Sequence, residues 1–94
     1  MINEKEKMNL AIAARNMMLI HYRKGLRMFK DLFTEYGEDG MFHFMRADGY
    51  AHWKKLDKAK KDYQLAESMF YQEVWRQKAR DGIAHCDMEM NNMR

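Results

Sequence analysis

The sequence predicts an all-α protein, and three observations carry that reading. Residues that favour strands are scarce: Val74 is the only valine, Thr34 the only threonine, and isoleucine stands only at positions 2, 12, 20 and 83. Turn punctuation is scarce as well, with five glycines and no proline in 94 residues. Apolar side chains, in contrast, recur in steps of four and three along Met8, Ile12, Arg15, Leu19, Tyr22, Leu26, Phe29, Phe33 and Tyr36. That is a heptad seam on one face of a helix, and only Arg15 is polar in it.

The first element is expected to be one long helix over about residues 3–36. Asn3 fits the N-cap, and Glu4 and Glu6 suit the positive end of the helix dipole. No breaker follows before Gly25, and Gly37 fits the C-terminal cap. At roughly 1.5 Å per residue such a helix is on the order of 50 Å long. A second row, Ala11, Met18, Gly25 and Leu32, runs beside the seam and makes the buried face wide. Gly25 inside a helix costs about 1 kcal/mol relative to alanine. Either another helix approaches closely there or the helix bends.

Residues 37–49 form the connector. Asp39 suits the cap of a short helix over Gly40–Ala47 that folds Met41, Phe42, Phe44 and Met45 onto the core. A hairpin turning at Asp48-Gly49 is the competing reading. The second long helix is expected over about 50–81, with Leu56, Ala59, Tyr63, Ala66, Phe70, Glu73 and Gln77 as its seam. Gly82 suits its C-cap, and a short terminal helix over about 83–92 follows, with Ile83, Cys86, Met90 and Met93 on one stripe. The whole, residues 1–94, reads as a single helical domain. It is a long antiparallel helical hairpin with a short connecting helix and a short C-terminal helix, assembling as a helical bundle. Two helices cannot bury faces this wide alone, so a homodimer is expected, with a compact monomer or folding on a partner as alternatives. Arg15 and Glu73, the polar breaks in the two seams, stand at similar heights in such a hairpin and are candidates to pair.

Composition excludes several classes. An apolar fraction of 47% with 33% charged residues is that of a globular chain, not a disordered one. Cys86 is the only cysteine, so no internal disulfide forms and a reducing, cytoplasmic setting is expected. The N-terminal residues are too charged for a secretory signal, and the longest apolar window, Met17 to Ile20, is far too short for a membrane span. The net charge of +3 is unevenly spread: residues 1–36 carry +3, residues 37–51 carry −2, residues 52–81 carry +3 and residues 82–94 carry −1.

Chemistry-bearing patterns are few. Glu35, Asp39 and His43, with Asp48 and His52, fall at helical spacing, but Gly37 and Gly40 interrupt it, and caps and connector charge account for them. In the tail, His85, Cys86, Met88, Met90 and Met93 are soft ligands without a copper-binding spacing, and an apolar stripe explains them better. One serine (Ser68), one threonine and one cysteine leave no nucleophile–base arrangement, and no glycine-rich phosphate loop is present. No cofactor or metal is therefore expected, and the chain reads as a binding protein rather than an enzyme.

Two surfaces stand out for binding. Arg23, Lys24, Arg27 and Lys30 form a basic cluster on the first helix, and Lys54, Lys55, Lys58 and Lys61 form another on the second. An antiparallel hairpin brings both to the connector end, where they suit a nucleic-acid backbone or another polyanion. The second candidate is an interface of Tyr71, Trp75, Arg76 and Trp53, residue types that dominate protein–protein hot spots. The expected role is to engage a macromolecular partner and block or adapt it, in the manner of small regulators and viral accessory or inhibitor proteins. Direct binding of DNA or RNA is the second reading, and a metal-binding or catalytic bundle the third.

Overall fold

A computed structural model describes residues 2–93; the ends of the expected domain, 1 and 94, lie outside the described residues. The fold is all-α, with five helices among the described residues: α1 (Glu4–Ile20), α2 (Tyr22–Tyr36), α3 (Gly40–His52), α4 (Leu56–Met69) and α5 (Glu73–Asn92). Asn3 caps α1 by accepting the Glu6 N–H at 2.8 Å, and Gly37 ends α2 with φ +83°. Among the described residues no helix is long and apolar enough to cross a membrane.

The long helices of the expected hairpin are each broken, and the hairpin is replaced by a more folded arrangement. The described residues span 45 × 31 × 16 Å, so a helix on the order of 50 Å does not fit. His21 is extended (φ −128°, ψ 94°), and α2 turns back antiparallel to α1. Lys7 near the start of α1 thereby reaches Asp39, just beyond α2, at 3.3 Å. The physical reason for the break is closeness. A Cβ at Gly25 would lie 2.3 Å from the Met18 Cα, so only glycine lets α2 cross α1 there. The break orphans the Met18 carbonyl, which accepts the Trp53 indole N–H at 2.7 Å. The deepest row of α1 is accordingly Ala11, Ala14 and Met18, one stripe over from the heptad seam, whose members Met8, Ile12, Leu26 and Phe33 are half-buried.

α3 is the central element, longer than the helix expected over Gly40–Ala47 and buried along most of its length. Asp39 caps it by accepting the Met41 N–H at 2.8 Å. It runs through Asp48-Gly49 without turning, because Gly49 is where the Met18 side chain packs: a Cβ there would stand 2.4 Å from the Met18 sulfur. Met41, Phe42 and Met45 face α1 and α2, whereas Phe44 and Ala47 face α4 and α5. One helix thus divides the interior into two cores.

Trp53, Lys54 and Lys55 form the turn into α4. Lys55 N–H bonds the Tyr50 carbonyl at 2.9 Å and Lys54 N–H bonds that of Ala51 at 3.0 Å, while Lys54 takes φ +60°. This is the helix-ending motif that usually places glycine at the left-handed position. The expected helix 50–81 is interrupted again at residues 70–72, where Phe70 swings out extended to pack on Phe44 and Trp75, ring centroids 6.1 and 5.8 Å away. Gly82 is not a cap. It lies inside α5, which absorbs the expected tail helix, and a Cβ there would come within 2.7 Å of the Tyr63 ring.

Gly25 supplies a test. In a continuous, solvated helix Gly25→Ala gains about 1 kcal/mol. With α2 crossing Met18 it is expected to lose about 1–3 kcal/mol by overpacking, read as the urea unfolding midpoint.

Candidate functional site

The α3 face turned toward the gap between α2 and α4 carries a polar stripe, His43, Arg46 and Tyr50, at helical spacing. Its anchor comes from α4. Asp62 is 3% exposed and lies between Ala59 and Ala66 on the buried side of that helix. Its carboxylate accepts Arg46 Nε at 2.7 Å and Nη2 at 2.9 Å, and meets His43 Nδ1 at 2.9 Å. A buried carboxylate needs such partners, and the two-pronged guanidinium contact is the strong kind. The other imidazole nitrogen, His43 Nε2, lies 3.1 Å from Glu38.

Burial works against a charged His43, but the hydrogen bonds to Asp62 and Glu38 outweigh it and raise the pKa above the ordinary histidine value. Burial likewise opposes ionised Asp62, and the hydrogen bonds from Arg46 and His43 outweigh it, lowering its pKa. Both ring nitrogens of His43 thus meet carboxylates, and the cluster is an internal strut between α3 and α4.

Phe33 of α2 lies on this strut, its centroid 4.7 Å from the His43 ring and 4.7 Å from the Arg46 guanidinium carbon. A depression of about 410 Å³ opens above it, lined by Lys30, Phe33, Thr34, Glu38, His43 and Arg46. Each of the two expected basic clusters sends one member to this face: Lys30 lines the depression and Lys58 Nζ lies 5.8 Å from the Tyr50 ring. Arg23, Lys24, Arg27 and Lys30 are exposed on α2, and Lys54, Lys55, Lys58 and Lys61 are exposed on and before α4. They come to opposite sides of α3 because α2 and α4 both pack on it.

A second concavity, of about 890 Å³, lies where the start of α1, the start of α3 and the α4–α5 joint meet. Met8, Met41, Met69, Phe70 and Trp75 give it apolar walls, and Lys5, Lys7, Asp39, Tyr71 and Gln72 edge it. Tyr71 is fully exposed (101%). Trp75 is half-buried, packing on Phe44 and Phe70. Of the expected interface residues, Tyr71 and Trp75 come together here. Arg76 is exposed on the following step of α5, while Trp53 stands beyond the far end of α3, its ring 5.9 Å from that of Tyr22.

The remaining candidates have structural employment. Asp48 accepts the Tyr63 hydroxyl and lies 3.6 Å from Arg15, so Arg15 pairs with Asp48 and not with Glu73, which bonds Arg80. His52 stacks edge-on against Trp53, and Asp39 is occupied as a cap and with Lys7. Cys86 is 0% exposed, and burial pushes its thiol pKa up, which suits a core residue and not a nucleophile. Ser68 and Thr34 donate to backbone carbonyls within their own helices. Among the described residues, no three His, Cys, Asp or Glu side chains are grouped to hold a metal ion.

Sequence reading did not single out Arg46 and Asp62, nor Met8, Met69 and Phe70 as one wall. One signal was present: Asp62, three residues from Ala59 and four from Ala66, is an acid on an apolar stripe. No protein-family model, curated protein or solved structure matches the chain.

The His43 strut predicts a pH dependence. Because its pKa is raised, the charge contributes fully to stability below pH 6.5 and is lost as pH rises through the elevated pKa. The unfolding midpoint should therefore fall as pH rises above 6.5 and through the elevated pKa, and His43→Gln should flatten that slope. An equal slope in both proteins would show that His43 is not its source.

Proposed function

We propose that the chain is a non-enzymatic binding protein that engages a protein partner through the groove at the α4–α5 joint and so blocks or adapts it. One observation carries this reading: a groove of about 890 Å³ with apolar walls has a fully exposed tyrosine, Tyr71, on its rim. Solvating an aromatic ring beside an apolar groove forgoes burial that a partner would supply. Tyrosine and tryptophan are the residues whose truncation most often costs a protein interface its affinity. The groove is of a size that takes a few side chains of a partner segment.

The wide helix faces that suggested a homodimer are covered within one chain by the return of α2 and by α3. A partner of different sequence is therefore the reading favoured here, and a second copy in the groove is the alternative.

Tyr71→Ala is the test that separates binding from folding. Its ring touches little, so stability should hold within about 0.5 kcal/mol. Capture of the partner from the source cell, after nuclease treatment, should weaken by about 2 kcal/mol, roughly thirtyfold in Kd. Trp75→Ala is less informative, because Trp75 supports both cores. Capture unaffected by Tyr71→Ala would exclude the groove. A light-scattering mass of two chains that falls to one in Tyr71→Ala would identify the partner as a second copy.

A further inference from the structure

On the other side of Glu38, which borders both concavities, lies the face formed by α2, α3 and the start of α4. We infer that this face is a binding track for single-stranded nucleic acid, with cationic rims on α2 and α4 and, between them, the rings of Phe33, Tyr50, Tyr22 and Trp53.

The first support is where the cations go. Lys54 and Lys60 pair with Glu89 and Asp87 of α5, at 2.9 and 2.8 Å. Arg23, Lys24, Arg27, Lys30, Lys55, Lys58 and Lys61 have no acidic partner within 4 Å among the described residues. The acids of the same region are unequally placed: Asp62 is drawn inside by Arg46 and His43, leaving Asp31, Glu35 and Asp57 as the exposed acids of α2 and α4. Of the carboxylates bordering this face, Asp62 is held inside by Arg46 and His43 and Glu38 stands at one end beside His43, so neither pairs with the rim cations.

The second support is direction. Arg23, Arg27, Lys30 and Thr34 form one stripe of α2, and Lys30 and Thr34 line the depression above His43 and Arg46. The stripe therefore follows the edge of the α3 face. On α4, Lys58 lies one turn before Asp62, which bonds α3, and its Nζ stands 5.8 Å from the Tyr50 ring. Lys55 and Lys61 flank Lys58 by one turn on either side. The two rims thus edge one floor.

The third support is the floor itself. Tyr50 and Tyr22 have centroids 6.3 Å apart, and Trp53, 41% exposed, continues the row 5.9 Å from Tyr22. Phe33 lies at the other end, against Arg46. Backbone-tracking cations beside a row of rings suit a strand whose bases are unstacked and free to stack on protein.

The test uses the full chain and a fluorescent twelve-nucleotide oligo-dT, followed by anisotropy across salt. Up to six rim cations on a single strand, at about 0.7 each, give an expected slope of roughly −2 to −4 in log K against log salt. Arg27→Glu with Lys58→Glu should weaken binding at least tenfold. Arg76→Glu with Lys78→Glu makes the same change in net charge on exposed α5 positions away from the face and should leave binding within about twofold. An abasic strand of equal length should bind at least fivefold more weakly, because it offers the cations its phosphates and the rings nothing to stack on. Equal loss in the two double variants would reduce the effect to net charge and overturn the inference. So would a poly-glutamate peptide that competes as well as the oligonucleotide, or a salt-independent affinity. Circular dichroism of each variant confirms that it is folded before its affinity is read.

Discussion

Met18 sits where three helices meet, and two of them have no side chain where they touch it. A methyl group on Gly25 would fall 2.3 Å from the Met18 Cα, and one on Gly49 would fall 2.4 Å from its sulfur. This contact decides the architecture. It lets α2 return along α1 across a single extended residue, His21, and it lets α3 lie against both. The backbone group left unpaired by the return is taken up by the Trp53 indole from the end of α3, so the corner is closed by a hydrogen bond as well as by packing. Both proposed binding faces depend on that corner. Without it α2 would extend past the body of the molecule, and neither its cations nor Phe33 would reach α3.

Burying α3 on nearly all sides creates a demand for polar satisfaction that α4 meets. His43 and Arg46 cannot both be solvated while Phe33 covers them, and Asp62 supplies the charge they need from the interior of an otherwise apolar stripe. On the far side of α3, Asp48 plays the corresponding part between Tyr63 and Arg15. Burial raises the pKa of that carboxyl against the pull of both partners. These two clusters tie α3 to its neighbours by direction-dependent bonds where the apolar contacts alone would tolerate sliding.

The helical class and several boundaries were legible in the sequence because they are written in local chemistry. Asn3, Gly37 and Asp39 cap where their side chains or backbone freedom suggest. The breaks were not legible, for two different physical reasons. At His21 and at residues 70–72 no breaker is present; tertiary packing of Gly25 on Met18, and of Phe70 on Phe44 and Trp75, overrides a local preference for helix. At Lys54 a left-handed residue ends α3 without the glycine that usually marks one. The glycines misled in the opposite sense: Gly49 and Gly82 looked like turn and cap and serve as places of close approach. Arg15 was visibly an exception in its seam, yet its partner depended on the fold-back and could not be found from a hairpin register. The basic clusters were visible as composition; that Lys30 and Lys58 come to one face of α3 follows only from the packing of α2 and α4 on it.

The fold-back at His21 is most directly tested by distance. Spin labels placed at the exposed positions Asn9 and Glu35, in a Cys86→Ala background, report on it by pulsed electron resonance. With α2 packed antiparallel on α1, helix axes about 8–10 Å apart put the labels roughly 15–25 Å from each other. A continuous helix at 1.5 Å per residue would hold them about 39 Å apart. The shorter distance is the expected result, and a single population at the longer one would contradict the corner and both surfaces built on it.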